Sequence, residues 1–166
     1  FKMQDKPWFT VNRNPNDPHF GRIHMAWTQF DAYGSKKPGD SSRIRYAWSD
    51  NKGKTFSAPA TISRVSGDAK DGDSTLEGAT LCVDASGNTY CMWSGLDKLW
   101  FTQSADGGLN WDKPYEMGEH QHGWHMEVGG IMRANGMPFM VSLEKHLLAV
   151  WAANQDGIST VFYRYY

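Results

Sequence analysis

Ser49-Asp50-Asn51-Lys52-Gly53-Lys54-Thr55-Phe56 and Ser104-Ala105-Asp106-Gly107-Gly108-Leu109-Asn110-Trp111 are two versions of one turn, set 55 residues apart. Both begin with Ser, place Asn51 or Asp106 third and Gly53 or Gly108 fifth, and close on an aromatic, Phe56 or Trp111. A short Asx side chain caps the backbone of such a turn, Gly supplies positive φ, and the closing aromatic is expected to pack back as a core residue. These eight residues (Ser49, Asn51, Gly53, Phe56, Ser104, Asp106, Gly108, Trp111) are therefore read as structural.

The flanking sequence repeats with the turns. Three segments alternate as half-buried strands and end in Trp: Gly21 to Trp27, Gly87 to Trp93 and Lys145 to Trp151. Each leads to a second strand, Ser42 to Trp48, Lys98 to Gln103 and Ser159 to Tyr166, and the first two of these run into the paired turns. An earlier strand (Pro7 to Val11, Glu77 to Val83 or Gly130 to Arg133) and a later one (Ala58 to Ile62 or Lys113 to Met117) fill out each unit. Four-stranded antiparallel units repeated around an axis make a β-propeller. The expected fold is all-β, with about three blades over residues 5–63, 75–118 and 128–166, part of a six-bladed ring. A β-sandwich uses as many short strands but gives no reason for a turn repeated at a fixed position. Trp27, Trp93 and Trp151 recur in register and are expected to pack between blades.

The composition agrees. Eight Trp, seven Tyr, eight Phe and 17 Gly favour short strands and tight turns over helices. Seventeen Lys plus Arg against 18 Asp plus Glu leave no basic surface for nucleic acid or an anionic membrane. The longest apolar run, Leu147 to Ala153, is too short to span a bilayer. Cys82 and Cys91, the only cysteines, flank a turn and read as packed free thiols or as a cross-strand pair of awkward geometry. The chain opens on Phe1, so it is read as processed or as part of a gene product, with Phe1-Lys2-Met3 an outer strand of a preceding blade. Its open ends are expected to meet further blades or a second copy.

The paired turns resemble the Asp box of bacterial neuraminidase repeats. Asp5-Lys6-Pro7-Trp8-Phe9, Glu77-Gly78-Ala79, Gly123-Trp124 and Gly130 to Pro138 extend the resemblance to secreted bacterial exo-α-sialidase-like proteins. The resemblance implies a sialidase-like propeller, secreted or at the cell surface or periplasm. It implies either binding of a glycan or glycoprotein, or glycoside hydrolysis with the remaining catalytic groups outside this chain. A sialidase needs three Arg for the substrate carboxylate, a Tyr–Glu nucleophile pair and an Asp acid. This chain lacks the Phe-Arg-Ile-Pro segment of the family. Arg133, placed on an innermost strand, Glu77 and Asp73 are its candidate catalytic residues, and no Tyr is assignable as nucleophile.

Ligand contacts are expected in the stretch Glu119-His120-Gln121-His122-Gly123-Trp124-His125-Met126-Glu127. There Trp124 would stack on a sugar ring while His125 and Glu127 bond its hydroxyls. Lys6 is either paired with Asp5 or free at a channel mouth against an acidic ligand. The His spacing matches no zinc signature, and Asp68-Ala69-Lys70-Asp71-Gly72-Asp73 lacks most of a calcium loop, so no metal or cofactor is expected.

Overall fold

A computed structural model describes residues 1–144 and 146–166; Lys145, the first residue of the third Trp-ending segment, lies outside them. The described residues form twelve strands and no helix. The first sheet joins β1 (Met3–Val11), β2 (Ile23–Phe30), β3 (Ser41–Ser49) and β4 (Ala60–Thr61), with β5 (Gly67–Asp68) also on β3. The second is β6 (Glu77–Val83), β7 (Thr89–Gly95), β8 (Lys98–Ser104) and β9 (Tyr115–Glu119). The third is β10 (Phe139–Leu143), β11 (His146–Gln155) and β12 (Ile158–Tyr165). All pairings are antiparallel, and within each sheet sequential strands are neighbours, save that β5 returns to pair with β3 and not with β4.

The second sheet lies between the other two. On one face Ala79, Leu81, Cys91, Trp93 and Trp100 meet Ala26, Ile44, Tyr46 and Ile62 of the first sheet and its following loop. On the other, Cys82, Met92, Leu99, Phe101 and Met117 meet Met140, Leu147 and Ala149 of the third sheet. Because alternate strand residues face opposite ways, β6 and β7 are buried along nearly their whole length. Trp93 is fully buried between the first two sheets, and Trp151 packs half-buried at the second interface. Trp27 is buried as well, its indole N–H donating to the Gln4 side chain.

Both paired turns close through the same bonds. Ser49 Oγ accepts from Gly53 N at 3.0 Å, and Asn51 Oδ1 accepts from Thr55 N at 2.9 Å. In the second turn Ser104 Oγ accepts from Gly108 N at 2.9 Å and Asp106 Oδ1 from Asn110 N at 2.9 Å. Gly53 and Gly108 sit at φ +80° and +87°, where a Cβ would be strained.

Several expectations need correction. Phe56 does not pack into the core but is exposed, because no neighbouring sheet among the described residues covers that turn. Residues 130–133 are not the first strand of the third unit. Ile131 N bonds Val128 O at 3.0 Å and closes a turn around Gly129-Gly130, and the strand starts only after Pro138, at Phe139. Arg133 is thus on a loop rather than on an innermost strand. Met3 opens β1 and pairs with Phe30, so Phe1-Lys2-Met3 is not a strand of another unit. Of the two readings of the cysteines, packed free thiols holds: Cys82 and Cys91 are free and buried, with Cys82 opposite Tyr90 and Cys91 opposite Leu81 on different faces of the sheet.

Candidate functional site

One end of the sheets gathers the turns between their second and third strands and the loops that lead into β6 and β10. Gly34 N bonds Ala69 O at 2.7 Å there, and His120 N bonds Asp97 O at 2.8 Å. The paired turns emerge at the opposite end, after β3 and β8.

Two strand irregularities build the centre of this site. The register of β1 shifts between Asp5 and Trp8, and that of β6 between Glu77 and Thr80. Lys6 takes φ 49°, a left-handed conformation costing on the order of 1 kcal/mol for a residue with a Cβ. Gly78 takes φ +67°, and a Cβ there would lie 2.7 Å from the Met137 side chain. These breaks in the pleat bring Lys6 Nζ to 2.7 Å from Asp5 Oδ2 and 2.9 Å from Glu77 Oε2.

Glu77 is fully buried. Its Oε2 also accepts Trp124 Nε1 at 2.9 Å, while its Oε1 has no hydrogen-bond partner among the described residues. Burial pushes this carboxyl up and the Lys6 ammonium draws it partly back. For Lys6, burial works against the charge, but the bonds to Asp5 and Glu77 outweigh it and hold the ammonium above its ordinary value.

Trp124 links this pair to the loop before β10. Asp73 Oδ1 accepts its backbone N–H at 3.0 Å, and His122 Nδ1 lies 3.7 Å from Asp73 Oδ2. The Arg133 guanidinium stacks 4.0 Å above the Trp124 ring and reaches Asp71 Oδ1 at 3.8 Å. Tyr33, from the turn between β2 and β3, donates its hydroxyl to Asp71, and that bond raises its phenol. Below, buried His120 lies within hydrogen-bond distance of Ser94 Oγ (2.7 Å) and Ala152 O (2.9 Å), anchoring the loop between the second and third sheets.

Lys6, Asp73, Glu77, Trp124 and Arg133, distant in sequence, therefore share one cluster. Trp124 is buried with Arg133 over its ring, so it is a support and not an open sugar platform. His125 is exposed and stacks at 6.4 Å on Trp124, whereas Glu127 is exposed and only its backbone carbonyl is engaged, by Ser159, among the described residues. Lys6 is paired rather than free. Tyr33 was not singled out by the sequence, and Asp71 stood there only as part of an incomplete calcium loop. Their signal is positional, since both lie in loops at the end where Glu77 begins its strand. Among the described residues no three His, Cys, Asp or Glu side chains converge to hold a metal ion.

No family model matches the chain, and no curated protein matches it. Among solved structures, the Hadza microbial sialidase Hz136 superposes with a TM-score of 0.58 at 11% identity, over 96% of this chain and 34% of its own. The chain has a sialidase-like fold. NanB sialidase from Streptococcus pneumoniae also matches, with a TM-score of 0.48 and 15% identity, over 86% of this chain and 19% of NanB. The sialidase-like fold seen here thus spans about a third of the length of Hz136 and a fifth of NanB.

Proposed function

We propose that the chain is three blades of a six-bladed, sialidase-like propeller whose end around Lys6, Glu77 and Arg133 binds a glycan or glycoprotein. One observation carries this reading: oriented, partly exposed polar side chains from strand β1 and from the loops before β6 and β10 meet over a buried carboxylate. Asp5, Lys6, Asp71, Asp73 and Arg133 keep 25, 31, 18, 25 and 46% of their side-chain surface, enough to meet hydroxyl groups. Ligand sites commonly combine an apolar support with a small number of precisely placed polar groups. The three stacked sheets, the recurring Asp-box-like turns and coverage of 34% of Hz136 support the partial-ring reading. The outer faces would then be covered by further blades, and the setting would be secreted or at a cell surface. Retention on an oligosaccharide array tests the site. Arg133→Ala should abolish retention without changing the melting temperature, and unchanged retention would remove the cluster from consideration.

A glycoside hydrolase is the second reading, favoured by Glu77. Burial raises its carboxyl in the direction a general acid requires. The remaining groups would lie outside this chain, so the chain alone should release nothing from a fluorogenic sialoside. Turnover that disappears in Arg133→Ala would reverse the order of the two readings.

A further inference from the structure

Resting on the glycan-site reading above, we infer that this cluster selects uncharged sugars and rejects carboxylated ones, sialic acid included. A sugar carboxylate gains most from a cation whose charge is not already offset by a neighbouring carboxylate. Neither cation of the cluster meets that condition. Lys6 Nζ lies within 2.9 Å of carboxylate oxygens from both Asp5 and Glu77. Arg133 is stacked on Trp124 and faces Asp71.

The sign of the site follows. Asp5, Asp71, Asp73 and Glu77 set four carboxylates against the two cations Lys6 and Arg133. Protonation of Glu77 would still leave an excess of one negative charge. Of the other cations at this end, Lys2 and Arg43 are held on Asp31, Lys70 on Asp68 and Lys98 on Glu116 and Glu119, while Lys36 and Lys37 lie on the exposed turn between β2 and β3, outside the cluster. A sugar carboxylate would have to displace an existing partner and approach like charges, whereas a neutral hydroxyl donates to the same carboxylates without either cost. Glu77 makes the arrangement rigid. It is fully buried, its Oε2 accepts from both Lys6 and Trp124, and its other oxygen is unpartnered among the described residues. Asp71 is the carboxylate that offsets Arg133, its Oδ1 lying 3.8 Å from the guanidinium.

The test compares matched oligosaccharides, lactose against 3′-sialyllactose and neutral against sialylated array members, using the 166-residue chain. Neutral members should bind at least tenfold more tightly than their sialylated counterparts. In Asp71→Asn, checked for an unchanged melting temperature, the negative charge 3.8 Å from Arg133 is removed, and sialylated binding should rise severalfold while neutral binding does not. Equal or tighter binding of sialylated members by the unaltered chain overturns the inference but leaves the glycan site standing. Absence of all oligosaccharide binding overturns both. No gain in Asp71→Asn overturns the assignment of Asp71 as the group that excludes acids.

Discussion

The turns at 49–56 and 104–111 share a hydrogen-bond set and differ in what lies beneath them. The second docks on the first sheet. Gly107 O accepts Arg22 Nη1 at 2.8 Å, and the Trp111 ring meets Tyr46 edge-on at 4.8 Å. The first has no further sheet under it among the described residues, and its Phe56 is exposed. A Ser–Asx–Gly pattern therefore fixes the shape of the turn by itself. A turn's contribution to tertiary structure depends on the neighbour it happens to have, and that is a property of the stack.

The sharpest way to break this comparison is to add one methyl group to each turn. A Cβ at Gly108 would lie 1.8 Å from Tyr46 Oη, whereas one at Gly53 meets only Ile23 Cδ1 at 3.7 Å. Both substitutions carry the left-handed penalty, about 1 kcal/mol. Gly108→Ala adds overpacking and should cost about 3 kcal/mol or more in urea unfolding. Similar losses for Gly108→Ala and Gly53→Ala would mean that the docking of the second turn contributes little.

Acid should act on the same interface. Buried His24 shares a 2.7 Å hydrogen bond with Tyr46, its Nε2 has no partner among the described residues, and burial lowers its pKa to about 4. The unfolded chain takes up that proton near pH 6.5, so stability is full above that value and falls as the pH drops toward 4. The loss is on the order of 3 kcal/mol from this group. His24→Gln should flatten the pH profile of the melting temperature between these limits, and an unaltered slope would assign the effect to other groups.

The smallest effects concern the caps. Asp106→Ala and Asn51→Ala should each lower stability by about 1 kcal/mol, the usual scale for a lost side-chain cap. Near-equality is the informative outcome, because the bonds are local to each turn. A difference much larger than the caps themselves would show that docking tunes even the capping bonds.

Sheet organisation was legible in the residues wherever pleat and turn chemistry agreed. The Glu77 to Val83 strand is found with those bounds, and the strands around Trp27, Trp93 and Trp151 lie in their expected places. The reading failed at 130–133, where Ile131 and Met132 look strand-like but Gly129-Gly130 close a turn. It failed at Phe56 because burial there needs a neighbour that no local pattern encodes. The cluster was legible as separate residues and not as a site. Lys6 meets Glu77 only because two strands break their pleat at one level, and Trp124 is buried only because Glu77 and Asp73 take its two N–H groups.

The two cysteines, placed one on each face of the second sheet, turn its two seams into separately tagged joints. Cys91 belongs to the seam with the first sheet and Cys82 to the seam with the third. Burial raises both thiols, Cys82 to about 12, so neither offers a thiolate while its seam is closed. The rate at which each is alkylated in the native protein therefore counts openings of one joint. A Cys82 that reacts while Cys91 stays silent would mark the third sheet as a leaf that lifts while the first pair remains shut.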